Sequence, residues 1–259
     1  MSNVQQSPAD LRRFYEEGYE RNFNLASIPS DDDFMYGQVL GQLRPYLRPG
    51  LRVLDLGCNN GTLSLYMARH GCDVLGIDLA RNIVDTAERS AAVHGIANAR
   101  FRAMDFLAEW DQPDAFDLVL CSHVIEHVPD DEAFLRKICY SLKPSGRLVL
   151  LTPTSHSSLV LVHKLLLGEF RHDKEVGHLR RYTGRMLRQR MEAAGLQVRK
   201  IARVDSVLRE WAIVFRPFRP LTRILARRYV RQVLNAADQL LADCFVFPSA
   251  VCVHAERRE

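Results

Sequence analysis

The chain has 259 residues, 47% of them hydrophobic, and a formal net charge of +4. That length and apolar content allow one large core and exclude a disordered chain, while so small a net charge gives little support to a polyanionic partner. The six cysteines, Cys58, Cys72, Cys121, Cys139, Cys244 and Cys252, form no C-x-x-C pair, which suits a reducing cytoplasm better than a disulfide framework. The first ten residues carry no signal pattern, and no run approaches the ~20 apolar residues of a membrane span.

Residues 1–50 are expected to form an N-terminal helical cap. Leu11, Phe14, Tyr15 and Tyr19 have roughly helical spacing, and a second helix is expected to open at Asp31-Asp32-Asp33, run through Phe34, Val39, Leu40 and Leu43, and stop at Pro45. Such a cap either packs on the sheet edge or covers a ligand with Tyr15 or Tyr19.

From residue 51 short apolar runs alternate with helical patterns. Strands are expected at Leu51–Leu56, Asp73–Ile77, Arg100–Met104, Phe116–Cys121 and Gly146–Leu151, with helices near 61–70, 80–94 and 130–142. Strand-helix alternation implies a parallel sheet with right-handed crossovers and a ligand crevice at the carboxyl ends of the strands. Leu142-Lys-Pro-Ser-Gly146 reads as the turn before the fifth strand. Beyond it, an apolar helix over Leu159–Phe170, a polar stretch from Arg171 to Arg181, a Thr183-capped helix ending at Gly195 and a sixth strand over Leu196–Val204 follow. Apolar residues from Leu221 to Leu241 recur at helical spacing, with Arg223, Arg227, Arg228 and Arg231 on the first half, and Phe245–His254 is β-prone.

Chemistry starts at Leu51-Arg-Val-Leu-Asp-Leu-Gly-Cys-Asn-Asn-Gly61, an apolar run ending in an acid and then a glycine turn. Gly57 and Gly61 let the backbone pass where a Cβ would clash. The spacing Gly57-Cys58-Asn59-Asn60-Gly61, with no lysine following, matches neither the dinucleotide G-x-G-x-x-G turn nor a P-loop. Asp78 stands at the end of the second strand, where a carboxylate can accept both hydroxyls of a ribose; Asp105 and Phe106 follow the third.

The segments LDLGCNNG, GIDLA, AMDF, FDLVLCSHVIEHVPD and LKPSGRLVL, in this order and spacing over roughly residues 51–152, resemble the core of class I S-adenosylmethionine (SAM)-dependent methyltransferases of the small-molecule type, such as the ubiquinone-pathway O-methyltransferases. Asn59 replaces the family's middle glycine. The resemblance implies an α/β, Rossmann-like fold: a seven-stranded, mostly parallel sheet with helices on both faces, the last strand antiparallel, and helical insertions after strands five and six. A methyltransferase domain would then span 51–259, with lid insertions at about 153–182 and 205–243. The family pattern places Asp55 and the backbone of Gly57, Cys58, Asn59 and Gly61 near the methionine portion of SAM, Asp78 and Leu79 at the ribose, Asp105 and Phe106 at adenine, and Ser122 or His123 beside the methionine.

A sulfonium leaving group needs little help, so the protein mainly aligns donor and acceptor and removes one proton. His127 is the first candidate base and His123 the second; the bland alternative is that Glu-His-Val-Pro only braces the loop. A ligand set from His123, Glu126, His127 and one of His172 or His178 is weighed against this, because related enzymes bind a divalent metal at a Glu-x-x-Glu-His segment; no metal is the expectation. His178 and Arg181 are candidate substrate contacts. The greasy, arginine-bearing insertions suggest a small hydrophobic or amphiphilic acceptor and peripheral membrane contact through the 218–243 helix of a cytoplasmic protein. Nucleic acid is not an expected partner, since basic residues are not interleaved with aromatics. The expected reaction is methyl transfer to a hydroxyl, amine or carbon of that acceptor; a non-catalytic SAM-binding partner or regulator is the first alternative and a nucleic-acid methyltransferase the second.

Overall fold

The computed structural model describes residues 24–155, 173, 176–205, 228–244 and 248–258. A first helix, α1 (Gly37–Leu43), and a single 3-10 turn at Arg44–Tyr46 lead into β1 (Arg52–Leu56), α2 (Thr62–Arg69), β2 (Asp73–Asp78), α3 (Arg81–Val93), β3 (Ala99–Ala103) and the short α4 (Phe106–Glu109). Then come β4 (Phe116–Ser122), a 3-10 turn at Ile125–His127, α5 (Asp131–Ser141), β5 (Leu142–Pro153), α6 (Gly184–Ala193), β6 (Leu196–Val204), α7 (Arg228–Cys244) and β7 (Ala250–Arg257).

The strands form one sheet in the order β3-β2-β1-β4-β5-β7-β6. The pairs β1–β2, β2–β3, β1–β4 and β4–β5 are parallel, and β7 runs antiparallel between β5 and β6. This is the expected fold, a mostly parallel sheet with helices on both faces and one reversed strand. Because helices cover both faces, the central strands are apolar throughout rather than alternating. In β1, Leu54 and Leu56 face a cluster with Phe106, Trp110, Leu135 and Ile138, whereas Val53 faces a cluster with Leu40, Leu43, Leu65 and Met67. Successive side chains thus feed the two cores in turn.

The chain leaves β1 toward β2 and β3, then returns to place β4 on the opposite side of β1. The two connections diverge there, and a crevice opens at the carboxyl ends of β1 and β4.

Three local expectations are corrected. α1 starts at Gly37, not at the Asp triplet, because the Asp33 carboxylate accepts from the N–H groups of Met35 and Tyr36 and holds a turn first. The Lys143–Gly146 turn lies within β5 as a bulge: Phe116 pairs with Leu142, but Leu118 pairs with Arg147. Ser145 has φ 61° in this bulge, and a Cβ on Gly146 would stand 2.8 Å from the Lys143 carbonyl oxygen, so glycine is required. The last strand begins at Ala250, beyond Pro248, which has no N–H for the ladder. Thr183 caps α6 as expected, accepting from Met186 N at 3.2 Å. Expectations for Leu11–Tyr19, Leu159–Phe170 and Arg223–Arg227 lie outside the described residues. No helix among the described residues is long and apolar enough to cross a membrane.

Candidate functional site

At the divergence of β1 and β4 lies a cavity of about 880 Å³. Nine of the ten residues expected to hold a cofactor line it: Asp55, Gly57, Cys58, Asn59, Asp78, Leu79, Asp105, Phe106 and Ser122, together with His123 and His127. Gly61 sets the turn from behind, while His178 and Arg181 are not in the lining.

The turn after β1 is built from three left-handed residues, Gly57 (φ 72°), Asn59 (φ 50°) and Gly61 (φ 92°). A Cβ on Gly57 would lie 2.3 Å from Val124 Cγ2, so that glycine is needed for close packing with the loop after β4. Asn59 takes the left-handed conformation because its Oδ1 accepts from Asn60 N at 2.6 Å, a local bond that offsets the strain. Asn59 N donates to Asp78 Oδ2 at 3.0 Å, tying the turn to the end of β2.

The acids differ in environment. Asp55 is buried and accepts from Ser64 Oγ at 2.6 Å; burial outweighs that bond and pushes its carboxyl up to about 7. Burial also raises Asp78, against the opposing backbone N–H groups of Asn59, Ala80 and Leu79. A buried, weakly compensated carboxyl fits a site that receives positive charge, because a cationic ligand would restore what burial removes. Asp105 caps α4, its Oδ1 accepting from Leu107 N and Ala108 N at 2.9 and 3.2 Å. Phe106 packs against Trp110 and Phe134 while contributing to the lining.

Past β4 the loop carries the remaining chemistry. His127 Nδ1 lies 3.1 Å from the Gly177 carbonyl oxygen. Only a donor satisfies a carbonyl, so Nδ1 carries the proton and the basic lone pair is on Nε2. Burial holds the His127 imidazole below its ordinary pKa despite the nearby Glu126. Glu126 is fully buried and accepts from Thr152 Oγ1 at 3.0 Å; its Oε1 has no hydrogen-bond partner among the described residues and lies 3.4 Å from His123 Nδ1. Glu126, His127 and His178 each bring a ligand atom within 4.8 Å of the others. Such a nitrogen-rich set suits zinc or another transition ion better than magnesium.

The 177–182 segment is strapped over this loop. Leu179 N donates to the Glu126 carbonyl at 2.9 Å, and Tyr182 Oη donates to Asp131 Oδ2 at 2.6 Å. Arg180 and Arg190 both pair with the same buried Asp131. The strap sets the His178 ring edge-on to His127, centroids 4.9 Å apart, with His178 Nδ1 2.8 Å from Asp173 Oδ1. Arg181 grips Asp173 through Nε and Nη2 and donates from Nη1 to the Thr154 carbonyl. The structure thus gives Arg181 a bracing position and His178 a place beside His127, outside the lining.

A match to known proteins covers this whole arrangement. The family model described as a methyltransferase domain matches residues 33–201. The chain belongs to the methyltransferase domain family. Its fold and cofactor are those of SAM-dependent methyltransferases. The chain is 43% identical over 104 residues to a protein named ubiquinone biosynthesis O-methyltransferase from Xanthomonas euvesicatoria pv. vesicatoria (strain 85-10), covering 40% of this chain and 43% of that protein. Against the protein of the same name from Neisseria meningitidis serogroup C (strain 053442), identity is 38% over 125 residues, covering 46% and 52%. The chain therefore spans about half the length of the curated relatives it matches. Among solved structures, it resembles the [4+2]-cyclase SpnF (TM-score 0.63, 18% identity, 97% of each chain). It also resembles phosphoethanolamine N-methyltransferase 2 of Haemonchus contortus in complex with SAM (TM-score 0.65, 18% identity, 99% of this chain and 59% of that chain). At such identities the likeness concerns the fold, which supports more than one chemistry.

Several residues of the site had no signal in the sequence. Tyr36, from the turn before α1, lines the cavity, whereas Tyr15 and Tyr19 lie outside the described residues. Ser64 could have been found as the polar position of α2 facing β1, since a hydroxyl on a buried helix face needs a partner. Thr152, Asp173 and the Gly177 carbonyl reach the loop after β4 from far along the chain, and no local pattern marks them.

Proposed function

We propose that the protein transfers a methyl group from SAM to a hydroxyl group of a small hydrophobic or amphiphilic molecule, with His127 as the general base. The observation that carries this reading is the His127–Gly177 bond, which sets the imidazole as the Nδ1–H tautomer at the cavity wall. Its depressed pKa keeps it neutral, hence basic, at neutral pH. The wall beside it is apolar, formed by Val124, Val128, Pro129, Phe134 and Val176, which favours a greasy acceptor. The name of the curated relatives, ubiquinone biosynthesis O-methyltransferase, supports a phenolic acceptor with an apolar tail.

SAM supplies an electrophilic methyl on a positively charged sulfur. His127 Nε2 takes the acceptor's O–H proton as the oxygen–methyl bond forms and the sulfur–methyl bond breaks. The products are a methyl ether, a neutral thioether and an imidazolium, so the positive charge passes from sulfur to His127. Glu126 stands next to His127 and favours that imidazolium.

The test is transfer of labelled methyl to hydroxylated aromatics bearing alkyl or prenyl tails, run beside calorimetry with SAM and its demethylated product. His127→Gln should lower kcat by about 100-fold or more while leaving SAM affinity unchanged; equal kcat removes His127 as the base. Failure to bind either nucleoside overturns the whole reading. Tight SAM binding with no transfer across a metabolite extract favours the non-catalytic alternative.

A second reading has its own observation, the clustering of Glu126, His127 and His178 with a buried carboxylate oxygen that has no hydrogen-bond partner among the described residues. These residues would hold a divalent ion that polarises the acceptor oxygen and makes its O–H more acidic, so that a weaker base suffices. Metal analysis of untagged protein distinguishes the two: a stoichiometric ion lost in Glu126→Gln favours the second, and none after dialysis against zinc favours the first.

A further inference from the structure

We propose that a second pocket, toward the amino ends of the parallel strands, binds a phosphate group. It has a volume of about 160 Å³, and Tyr46, Arg147, Arg199, His254 and Glu256 are in its wall. No residue lines both this pocket and the large cavity. Arg147 pairs with Leu118 near the start of β4. It stands roughly 13 Å along β5 before Leu151, whose carbonyl accepts from His123 N–H at the crevice.

Arg147 is a spare cation. In the ladder it lies directly across from Glu256, where opposite charges ordinarily pair. Glu256 is instead held by Arg199 Nε at 3.0 Å, and the Arg147 guanidinium sits over the Tyr46 ring, 5.1 Å from its centroid. Among the described residues no hydrogen bond or carboxylate engages the Arg147 guanidinium, and none engages the terminal nitrogens of Arg199. Two arginines against one glutamate leave the pocket with an excess of positive charge.

The ring beneath Arg147 is fixed by a directed chain of hydrogen bonds. Lys200 Nζ donates to Gln42 Oε1 at 3.2 Å, so that oxygen is an acceptor. His254 Nε2, 2.9 Å from the same oxygen, therefore carries the proton, and its bare Nδ1 accepts from Tyr46 Oη at 2.8 Å. His254 is buried, so the chain is shielded from water. A planar guanidinium stacked on a fixed ring presents its N–H edge in a set direction, which lowers the ordering cost of binding an oxyanion.

The charge and the number of donors select phosphate. A carboxylate is satisfied by one guanidinium fork, whereas a tetrahedral phosphate offers oxygens to Arg147 and to the terminal nitrogens of Arg199 together. The site rests on neither the methyl acceptor nor the base.

Titration calorimetry of inorganic phosphate and of glycerol phosphate into the full chain tests this, against chloride and acetate at equal ionic strength. Phosphate is expected to bind, and more tightly than acetate. Tighter binding of the ester would assign the site to the phosphate of a metabolite, and equal binding to the free ion. Arg147→Gln and Arg147→Lys should each weaken binding at least about tenfold, because lysine keeps the charge but not the fork. An unchanged circular-dichroism melt shows that either variant is folded. No phosphate heat beyond that of chloride, equal binding by Arg147→Gln, or tighter binding of acetate overturns the proposal. So does loss of phosphate binding when the large cavity is saturated with demethylated SAM, which would place the ion at the crevice. Methyl transfer, assayed in phosphate-free buffer, succeeds or fails separately.

Discussion

The backbone N–H of Asn59 donates to Asp78 Oδ2 at 3.0 Å, linking the position where the chain departs from the family's glycine pattern to the acid expected at the ribose. Asn59 is left-handed, and its side chain is turned back onto Asn60 N. The turn therefore works with asparagine as it would with glycine. Asn59→Gly is expected to keep SAM affinity within about threefold, whereas Asn59→Val, with neither the local bond nor tolerance of positive φ, should lose about 1–2 kcal/mol of stability. Calorimetry and urea melts check both; a large affinity gain in Asn59→Gly would mean that the asparagine intrudes on the ligand.

Gly57 and Val124 form a second matched pair. Gly57→Ala adds a Cβ 2.3 Å from Val124 Cγ2 at a φ of 72°, combining overpacking with backbone strain. A loss of about 2–4 kcal/mol is expected. Val124→Ala in the same chain should restore the packing part and leave the φ part, so a double-mutant cycle should give a coupling of about 1 kcal/mol or more.

Asp55 makes cofactor affinity pH-dependent. With its carboxyl pushed up to about 7 by burial, much of the unliganded protein carries a neutral Asp55 at pH 6. A cationic ligand prefers the carboxylate, so SAM affinity should rise as pH rises through about 7 and level off above it. Asp55→Asn should bind SAM weakly and with a flat profile between pH 6 and 8, as titration calorimetry can read.

His254 makes stability rise with pH as well. Burial, aided by Lys200, depresses its pKa to about 4, and it sits between Tyr46 Oη (2.8 Å from Nδ1) and Gln42 Oε1 (2.9 Å from Nε2). From pH ~6.5 down to about 4 the unfolded chain binds a proton that the folded one does not. The His254 contribution is thus complete above ~6.5, falls with acidification, and is constant below about 4; the part lost by pH 4.5 is on the order of 2 kcal/mol. The difference in urea stability between wild type and His254→Gln should shrink by that amount between pH 7 and 4.5.

Asp131 is the post to which the strap is tied. Tyr182→Phe removes one neutral donor and should cost about 1 kcal/mol. Asp131→Ala leaves Arg180, Arg190 and Tyr182 without their shared acceptor and should cost about 3–5 kcal/mol. If the strap also seats His178 against His127, Tyr182→Phe should raise KM for the methyl acceptor more than it raises Kd for SAM.

Much of this molecule was legible before any coordinates. Most strands of the parallel core are short, mainly apolar runs, so β1 to β4 fall within a residue or two of their expected ends, as does the antiparallel edge strand β6, and an acid or polar residue at the carboxyl end of a parallel strand must lie at the crevice. That is why Asp55, Asp78, Asp105 and Ser122 all reach the cavity. These features depend on residues near one another in sequence, where periodicity and turn chemistry act directly.

What only the tertiary structure decided involves partners far apart in the chain. The tautomer of His127 depends on a carbonyl 50 residues later, and Arg181, a cation suited to substrate, is drawn onto Asp173 and Thr154 by the fold of the strap. The β5 bulge follows from how Leu142 and Arg147 meet β4. The arginine-bearing helix was visible as a pattern of apolar and charged positions, but a pattern does not say which face turns inward. That was settled by Asp32, Gln38 and Gly37, which receive Arg231, Asp238 and Asn235 of α7 and leave Tyr229, Val233 and Leu240 outside. Local periodicity specifies elements; the orientation of an amphipathic helix is set by the charge and shape of the surface it meets.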